Sequence, residues 1–184
     1  LYDSASSIGG QFKLARRIPG KEEFGETLRY FEQRLKSAGV TRLLGRRVGA
    51  DELILKAYDH IVLATGIIPR ELDIPGHDHK KVITYIELIE GRRNAGAKVA
   101  IIGAGGIGFD LAELLTHDSA AKDELQRFQS EWGIDATLTA RGGLKPAEEE
   151  HSAREIWLLQ RKTSQVGDGL AKTTGWIRRA LLRK

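Results

Sequence analysis

The chain has 184 residues, of which 41% are hydrophobic and 29% charged, with a formal net charge of +4 and no cysteine. This length and balance suit a globular chain able to bury a sizeable core. Without cysteine there is no disulfide framework, thiolate zinc site or cysteine-ligated iron–sulfur cluster within these residues. No apolar run approaches the ~20 residues of a membrane span and no signal-peptide pattern opens the chain. The expectation is a cytoplasmic chain with no membrane partner. The pI is 9.4, but the cations are mixed with 25 acids. Basic clusters such as Arg92-Arg93 and Arg178-Arg179 read as solvated surface rather than a nucleic-acid face.

In chain order, residues 1–3 read as the end of a strand, followed by a loop with Gly9-Gly10. Residues 21–38 predict a helix, because Phe24, Leu28, Phe31 and Leu35 recur at helical spacing before Gly39. Strand-like runs follow at 41–44 and 46–48, one side of a hairpin at 53–57, and a further strand at 58–64. Pro69, Pro75 and Gly76 mark 67–82 as a connection between two lobes. A short helix is expected at 84–92, and a strand, glycine turn and helix at 97–116. Residues 117–153 read as an insertion with a helix at 122–132 and an acidic loop at 148–150. A strand at 155–160 and a glycine-bearing loop at 163–174 lead into a terminal helix, 175–184. The start at Leu1 and the stop inside an amphipathic pattern suggest a segment of a longer protein. The alternation predicts an α/β fold: a Rossmann-like doubly wound parallel sheet, with parts of two nucleotide-binding lobes.

The most informative stretch is Val99–Ile102 running into Gly103-x-Gly105-x-x-Gly108 and on into a helix. Gly103 permits the tight turn, Gly105 and Gly106 let backbone amides approach a pyrophosphate, and Gly108 lets the helix pack on the strand. The helix's free amides and positive dipole end then face the negative charge. In such a fold an acid at the tip of the second strand holds the ribose of NAD, whereas cations there receive the 2′-phosphate of NADP. Here that tip carries Arg161-Lys162, which favours NADP(H). The alternative is two surface cations ending a strand. Arg161 lies 53 residues beyond Gly108, against about 20 in a compact unit, so an insertion fills the difference.

Two further groups carry weaker signals. Ala64-Thr65-Gly66 ends a strand in small residues, where a nucleotide or another backbone can approach. Asp3 with Gly10 and Gln11 could hold a ribose and a flavin pyrophosphate, or be an acid and a loop. His77-x-His79 reads as a solvated loop rather than a metal site, and no metal or catalytic residue is expected.

Together these residues resemble a known family. Ser7-Ile-Gly-Gly-Gln-Phe, Ile18-Pro-Gly-Lys-Glu-Glu-Phe, Thr27-Leu-Arg-Tyr, Ala100-Ile-Ile-Gly-Ala-Gly-Gly-Ile-Gly-Phe-Asp, Glu131-Trp-Gly-Ile-Asp, Leu159-Gln-Arg-Lys and Lys172-Thr-Thr-Gly-Trp-Ile are similar to segments of the bacterial NADPH-dependent 2,4-dienoyl-CoA reductases. The last three lie in or after the insertion, where a generic dinucleotide fold has no reason to match. The resemblance implies the FAD- and NADP-binding part of a flavoprotein. Residues 1–70 would be a partial FAD lobe and 71–184 an NADP lobe. Asp3 would face the FAD ribose, Gly10 and Gln11 the flavin nucleotide, and Val48 the adenine, with Ala64 and Gly66 along the FAD. Gly103, Gly105, Gly106 and Gly108 would hold the NADP pyrophosphate, Arg161 and Lys162 its 2′-phosphate, and Trp176 would lie against the nucleotide. FMN, a 4Fe-4S cluster and the acyl-CoA substrate would belong to a barrel and cluster region outside these residues. Related readings are a glutamate-synthase-like electron-transfer flavoprotein, an amine dehydrogenase, or a non-catalytic scaffold.

Overall fold

A computed structural model describes residues 1–70, 72–117, 124–148, 152 and 154–182. The chain divides into two compact units, Leu1–Glu90 and Gly91–Lys184. Of the acidic run 148–150 only Glu148 is described. Glu149, Glu150, His151 and the basic end Arg183-Lys184 lie outside the described residues, as do Lys122 and Asp123 at the head of the expected helix 122–132.

In the first unit, α1 (Phe12–Ala15) and α2 (Phe24–Ser37) pack together. The Phe12 and Phe24 rings meet edge to face at 5.0 Å, a favoured aromatic geometry. Between them in sequence, Ile18 is 1% exposed. The helix expected from residue 21 begins at Phe24 because Lys21–Glu23 turn more tightly: Phe24 N donates to Lys21 O and Gly25 N to Glu22 O. Gly39, at φ +66°, ends α2 as expected.

Several expected strands do not form. Tyr2 makes one parallel bridge to Leu43, flanked by Asp3 N to Leu43 O and Arg46 N to Asp3 O. Leu43 N also donates to Leu1 O and Thr41 O accepts from the Leu1 amino group, but 41–44 and 46–48 form no longer ladder, because Gly45 at φ +68° turns the chain between them. The hairpin side at 53–57 is instead the end of α3 (Ala50–Leu55). Asp51 and Glu52 lie in its first turn, where carboxylates complement the helix dipole, and Arg46 pairs with Glu52 at 2.7 Å. The run at 58–64 is not a strand either. A strand exists only with a hydrogen-bonding neighbour, and none pairs with it among the described residues, leaving Val62 87% and Leu63 80% exposed. The helix at 84–92 forms as α4 (Tyr85–Ile89), started by a capping box between Thr84 and Glu87.

The second unit is more regular. Strand β1 (Lys98–Ile102) pairs in parallel with β2 (Glu155–Leu159), in register Lys98↔Glu155 through Ile102↔Leu159. Alternation sets the faces: Val99 and Ile101 point inward, while Lys98, Ala100 and Ile102 are exposed. Helix α5 (Gly106–Thr116) packs on both strands and supplies most of the core. Phe109 is 2% exposed, and Leu111, Ala112 and Leu115 are buried beside Ile101. Burying a side chain such as Phe109 contributes about 1.5–3 kcal/mol. Helix α6 (Glu124–Glu131) follows, and α7 (Gly175–Leu181) ends the described chain.

The insertion between α5 and β2 contains a closed loop. Ile134 and Leu144 form an antiparallel bridge, and the buried Asp135 organises the turn between them. Its Oδ1 accepts from Thr137 N and Oγ1, and its Oδ2 from Thr139 Oγ1 and Ala140 N. These bonds hold Leu138 in the left-handed region at φ +57°, a conformation that costs a branched residue about 1–2 kcal/mol.

The same bonds, the Thr137 hydroxyl first, hold the Asp135 carboxyl well below the usual carboxylate range. A carboxyl lowered on folding contributes stability that is fully present above its unfolded pKa, about 3.9, and is lost as pH falls toward the folded value. Asp135→Asn should therefore melt lower than the native chain at pH 7. The gap should narrow as pH drops from 4 toward 2 in thermal denaturation; a constant gap would mean that the charge is irrelevant.

A second test concerns packing. A Cβ at Gly108 would lie 1.9 Å from Gly103 O and 3.3 Å from Leu158 Cδ1. Gly108→Ala should destabilise the chain by about 1–3 kcal/mol in urea denaturation, since α5 must lift off the strands.

Candidate nucleotide-binding site

At the carboxyl end of β1 the chain must turn at once into α5. Gly103 does this at φ +117°, while its N–H donates to Leu159 O at 2.8 Å and extends the ladder by one bond. Gly105 is the extended N-cap and carries no side-chain cap. The amides of the first helical turn, which have no intrahelical partner, are thus left to another acceptor. No acid occupies that turn. A Cβ built on Gly105 or Gly106 meets nothing within 4 Å, so this side of the turn is open. Uncapped amides, open space and a dipole end without acids suit a phosphate.

The parallel register determines what stands beside this turn. Because Ile102 pairs with Leu159, the chain leaving β2 emerges next to the chain leaving β1. Gln160, Arg161 and Lys162 are therefore neighbours of the glycine turn despite their distance in sequence. Both cations are exposed. Gln160 Nε2 donates to Lys162 O at 3.0 Å and also to Ser164 O. Two carbonyl acceptors require the amide's NH₂ end, so the side chain folds 161–164 into a turn that displays the basic pair. Nothing in the local pattern marked Gln160; its role depends on a turn that follows the strand.

Trp176 is placed differently. It lies on α7, 55% exposed, with Nε1 donating to Thr173 O at 3.1 Å. Helix α7 is fastened to α5 through Arg178, whose Nε donates to Glu113 Oε1 at 2.6 Å and whose Nη2 bonds to Asp110. Two residues are about 200° around a helix, so Trp176 is turned away from the contact Arg178 makes. Arg178, bonded foremost to Glu113 and then to Asp110, has its pKa pushed further up from an already high value.

The flavin-side residues lie in the first unit. Asp3 is half-buried and its Oδ1 accepts from Ala5 N at 2.8 Å. Its backbone bond to Arg46 brings it near the chain leading to the half-buried Val48. Gly10 sits at φ +46° with open space around it, and Gln11 stands at the N-cap position of α1 without a side-chain cap bond. Ala64 and Gly66 are exposed. Among the described residues no hydrogen bond ties them to Asp3 or Val48; the Tyr2–Tyr58 hydroxyl contact of 3.1 Å anchors only the head of their segment.

Known proteins are similar to this chain in sequence and fold. Residues 11–130 match the pyridine nucleotide-disulphide oxidoreductase family. A metal reductase of Desulforamulus reducens is 29% identical over 133 residues, covering 70% of this chain and 20% of that protein. A bilirubin reductase of Mediterraneibacter gnavus is 33% identical over 121 residues, covering 62% and 18%. Among solved structures, a 2-naphthoyl-CoA reductase in complex with 2-naphthoyl-CoA is similar with a TM-score of 0.58 and 32% identity, over 62% of this chain and 17% of that one. The chain thus spans about a fifth of the length of these curated relatives. Among the described residues no helix is long and apolar enough to cross a membrane. With a parallel α/β sheet, a glycine turn opening a helix and a match over most of its length, the chain belongs to the pyridine nucleotide-disulphide oxidoreductases, an oxidoreductase family that binds FAD and NAD(P).

Proposed function

We propose that the chain is the nucleotide-binding portion of a cytoplasmic NADPH-dependent flavoprotein reductase of the 2,4-dienoyl-CoA reductase type. Residues 71–184 take NADP(H) and residues 1–70 contribute to FAD binding. The observation that carries this reading is the β1–β2 register, which sets a turn bearing Arg161 and Lys162 beside the glycine turn. The amides after Gly103, at Gly105 and Gly106, bind the pyrophosphate. Arg161 offers a bidentate fork and Lys162 a mobile charge to the 2′-phosphate. Gln160 keeps that turn in shape, and Trp176 offers an aromatic face to the nucleotide. On the flavin side Asp3 receives a ribose hydroxyl, Gly10 and Gln11 border the pyrophosphate, Val48 meets the adenine, and Ala64 and Gly66 let the FAD approach the backbone.

When bound, the two nucleotides supply the redox chemistry, a hydride passing from NADPH to FAD. The chain's own residues bind and orient; no side chain here has to act as acid or base. One solved neighbour, the 2-naphthoyl-CoA reductase, supports an acyl-CoA as the substrate class. Naphthoyl-CoA is an acyl thioester conjugated to an unsaturated ring, as dienoyl-CoA is conjugated to double bonds. The acyl-CoA, FMN and iron–sulfur cluster belong to parts of the longer protein outside these residues, consistent with the small share of each relative that is matched.

Two substitutions test the site. Arg161→Ala should weaken NADPH binding by at least about tenfold, the loss of a charged hydrogen bond, and leave NADH within about twofold, read by calorimetry. Equal losses for both would remove the 2′-phosphate role. Gly105 stands at φ −89°, a conformation open to any residue, in free space. Gly105→Val should therefore keep the melting temperature but abolish binding of both nucleotides, whereas undiminished binding would exclude the turn as the pyrophosphate site.

A further inference from the structure

Helix α5 has a property at odds with anion binding. Asp110 and Glu113 lie four and seven residues past its first residue, Gly106, which at 1.5 Å per residue is about 6 and 10 Å from the helix start. That is comparable with the ~8 Å screening length at physiological salt. Both side chains are largely withdrawn from solvent, 17% and 18% exposed, so salt screens them incompletely. Two carboxylates this close oppose an anion at the helix start and offset part of the dipole's attraction.

Arg178 answers both. It arrives from α7, 65 residues after Glu113 in sequence, with its side chain 18% exposed. Nε donates to Glu113 Oε1 at 2.6 Å and Nη2 to Glu113 Oε2 at 2.7 Å, a fork-to-fork pair, while Nη2 also reaches Asp110 Oδ1. Its guanidinium carbon lies 5.9 Å from the centroid of the buried Phe109 ring. One cation thus bridges both acids of α5 and fixes where they sit.

We infer that Arg178 is a positioning residue for the phosphate cradle, acting not on the nucleotide but by balancing the carboxylates of Asp110 and Glu113 behind the helix start. The inference rests on the nucleotide reading of the glycine turn. It separates two kinds of selectivity: Arg178 affects every ligand that carries a pyrophosphate, whereas Arg161 affects only one that also carries a 2′-phosphate.

The test uses the full chain with NADPH, NADH and ADP as probes, by calorimetry at low and high salt. In Asp110→Asn/Glu113→Gln with Arg178 kept, all three should bind more tightly, by roughly three- to tenfold at low salt, and the gain should shrink as salt rises. Arg178→Ala should weaken all three alike without changing the NADPH-to-NADH ratio. Adding both carboxylate substitutions to Arg178→Ala should return binding to within about twofold of native, because the acids and the cation that balances them are removed together. A merely structural Arg178 predicts the opposite sign, since removing its partners would loosen α7 and weaken binding. Weaker or unchanged affinity in the carboxylate double variant therefore overturns the inference. If that result comes with Arg161→Ala still selective against NADPH, the inference alone fails. If the native chain binds none of the three probes, the nucleotide reading fails and the inference with it.

Discussion

The second unit depends on one close approach, that of α5 to the end of β1 at Gly108. The space a side chain would need there is already filled by the carbonyl of Gly103. Without a Cβ the helix settles directly on the two strands, and Phe109, Leu111, Ala112 and Leu115 close the core beneath it. The same closeness fixes the helix axis relative to the strand end, so its first amides emerge just past Gly103. Packing and the placement of these amides thus have a common origin. Gly108 is required by the protein's own atoms, whereas Gly105 and Gly106 face open space and no atom of the described chain requires them to be glycine.

The insertion explains why a detour between α5 and β2 is compatible with this geometry. Parallel strands need a crossover in any case, and pairing asks only that β2 return in register. The return is tied by Arg154, whose Nη1 donates to Leu115 O at the end of α5. Within the detour, Asp135 satisfies its own turn with four bonds, and Arg127 of α6 donates to His117 Nδ1 just past α5. These bonds close the described part of the insertion on itself. Glu155, at the far end of the sheet from the cradle, is held below the ordinary carboxylate range first by Lys98 and then by the Trp157 indole.

What could be read from the sequence was what local chemistry determines. β1, the glycine turn, α5 and β2 carry their periods and turn residues within a few positions of one another, as do α2 with Gly39 and α4 with Thr84. Residues 53–57 misled because a helix as short as α3 shows too few turns for a period, and its acids at 51 and 52 count only once a helix is assumed. Residues 58–64 have strand composition, but composition does not supply a neighbour to pair with. Asp135, Gln160 and Arg178 were not legible as functional or structural centres at all. Each acts through groups brought together by the fold, in the case of Arg178 across 65 residues.

The candidate site divides its work between backbone and side chains, and the division has a physical reason. Backbone amides at a helix start are neutral, rigid and blind to the rest of the ligand, so they attract any pyrophosphate. Choosing between two dinucleotides requires a formal charge at the one position where they differ, and a charge needs a mobile, solvated side chain rather than a cradle. The structure keeps these needs on separate strands: amides after β1, cations after β2, joined only by the Ile102↔Leu159 register and the Gly103 bond that prolongs it. A shift of that register by one residue would turn every β2 side chain to the opposite face. It would also carry Arg161 away from the glycine turn, so in the proposed reading the ladder that stabilises the sheet would also join affinity to selectivity.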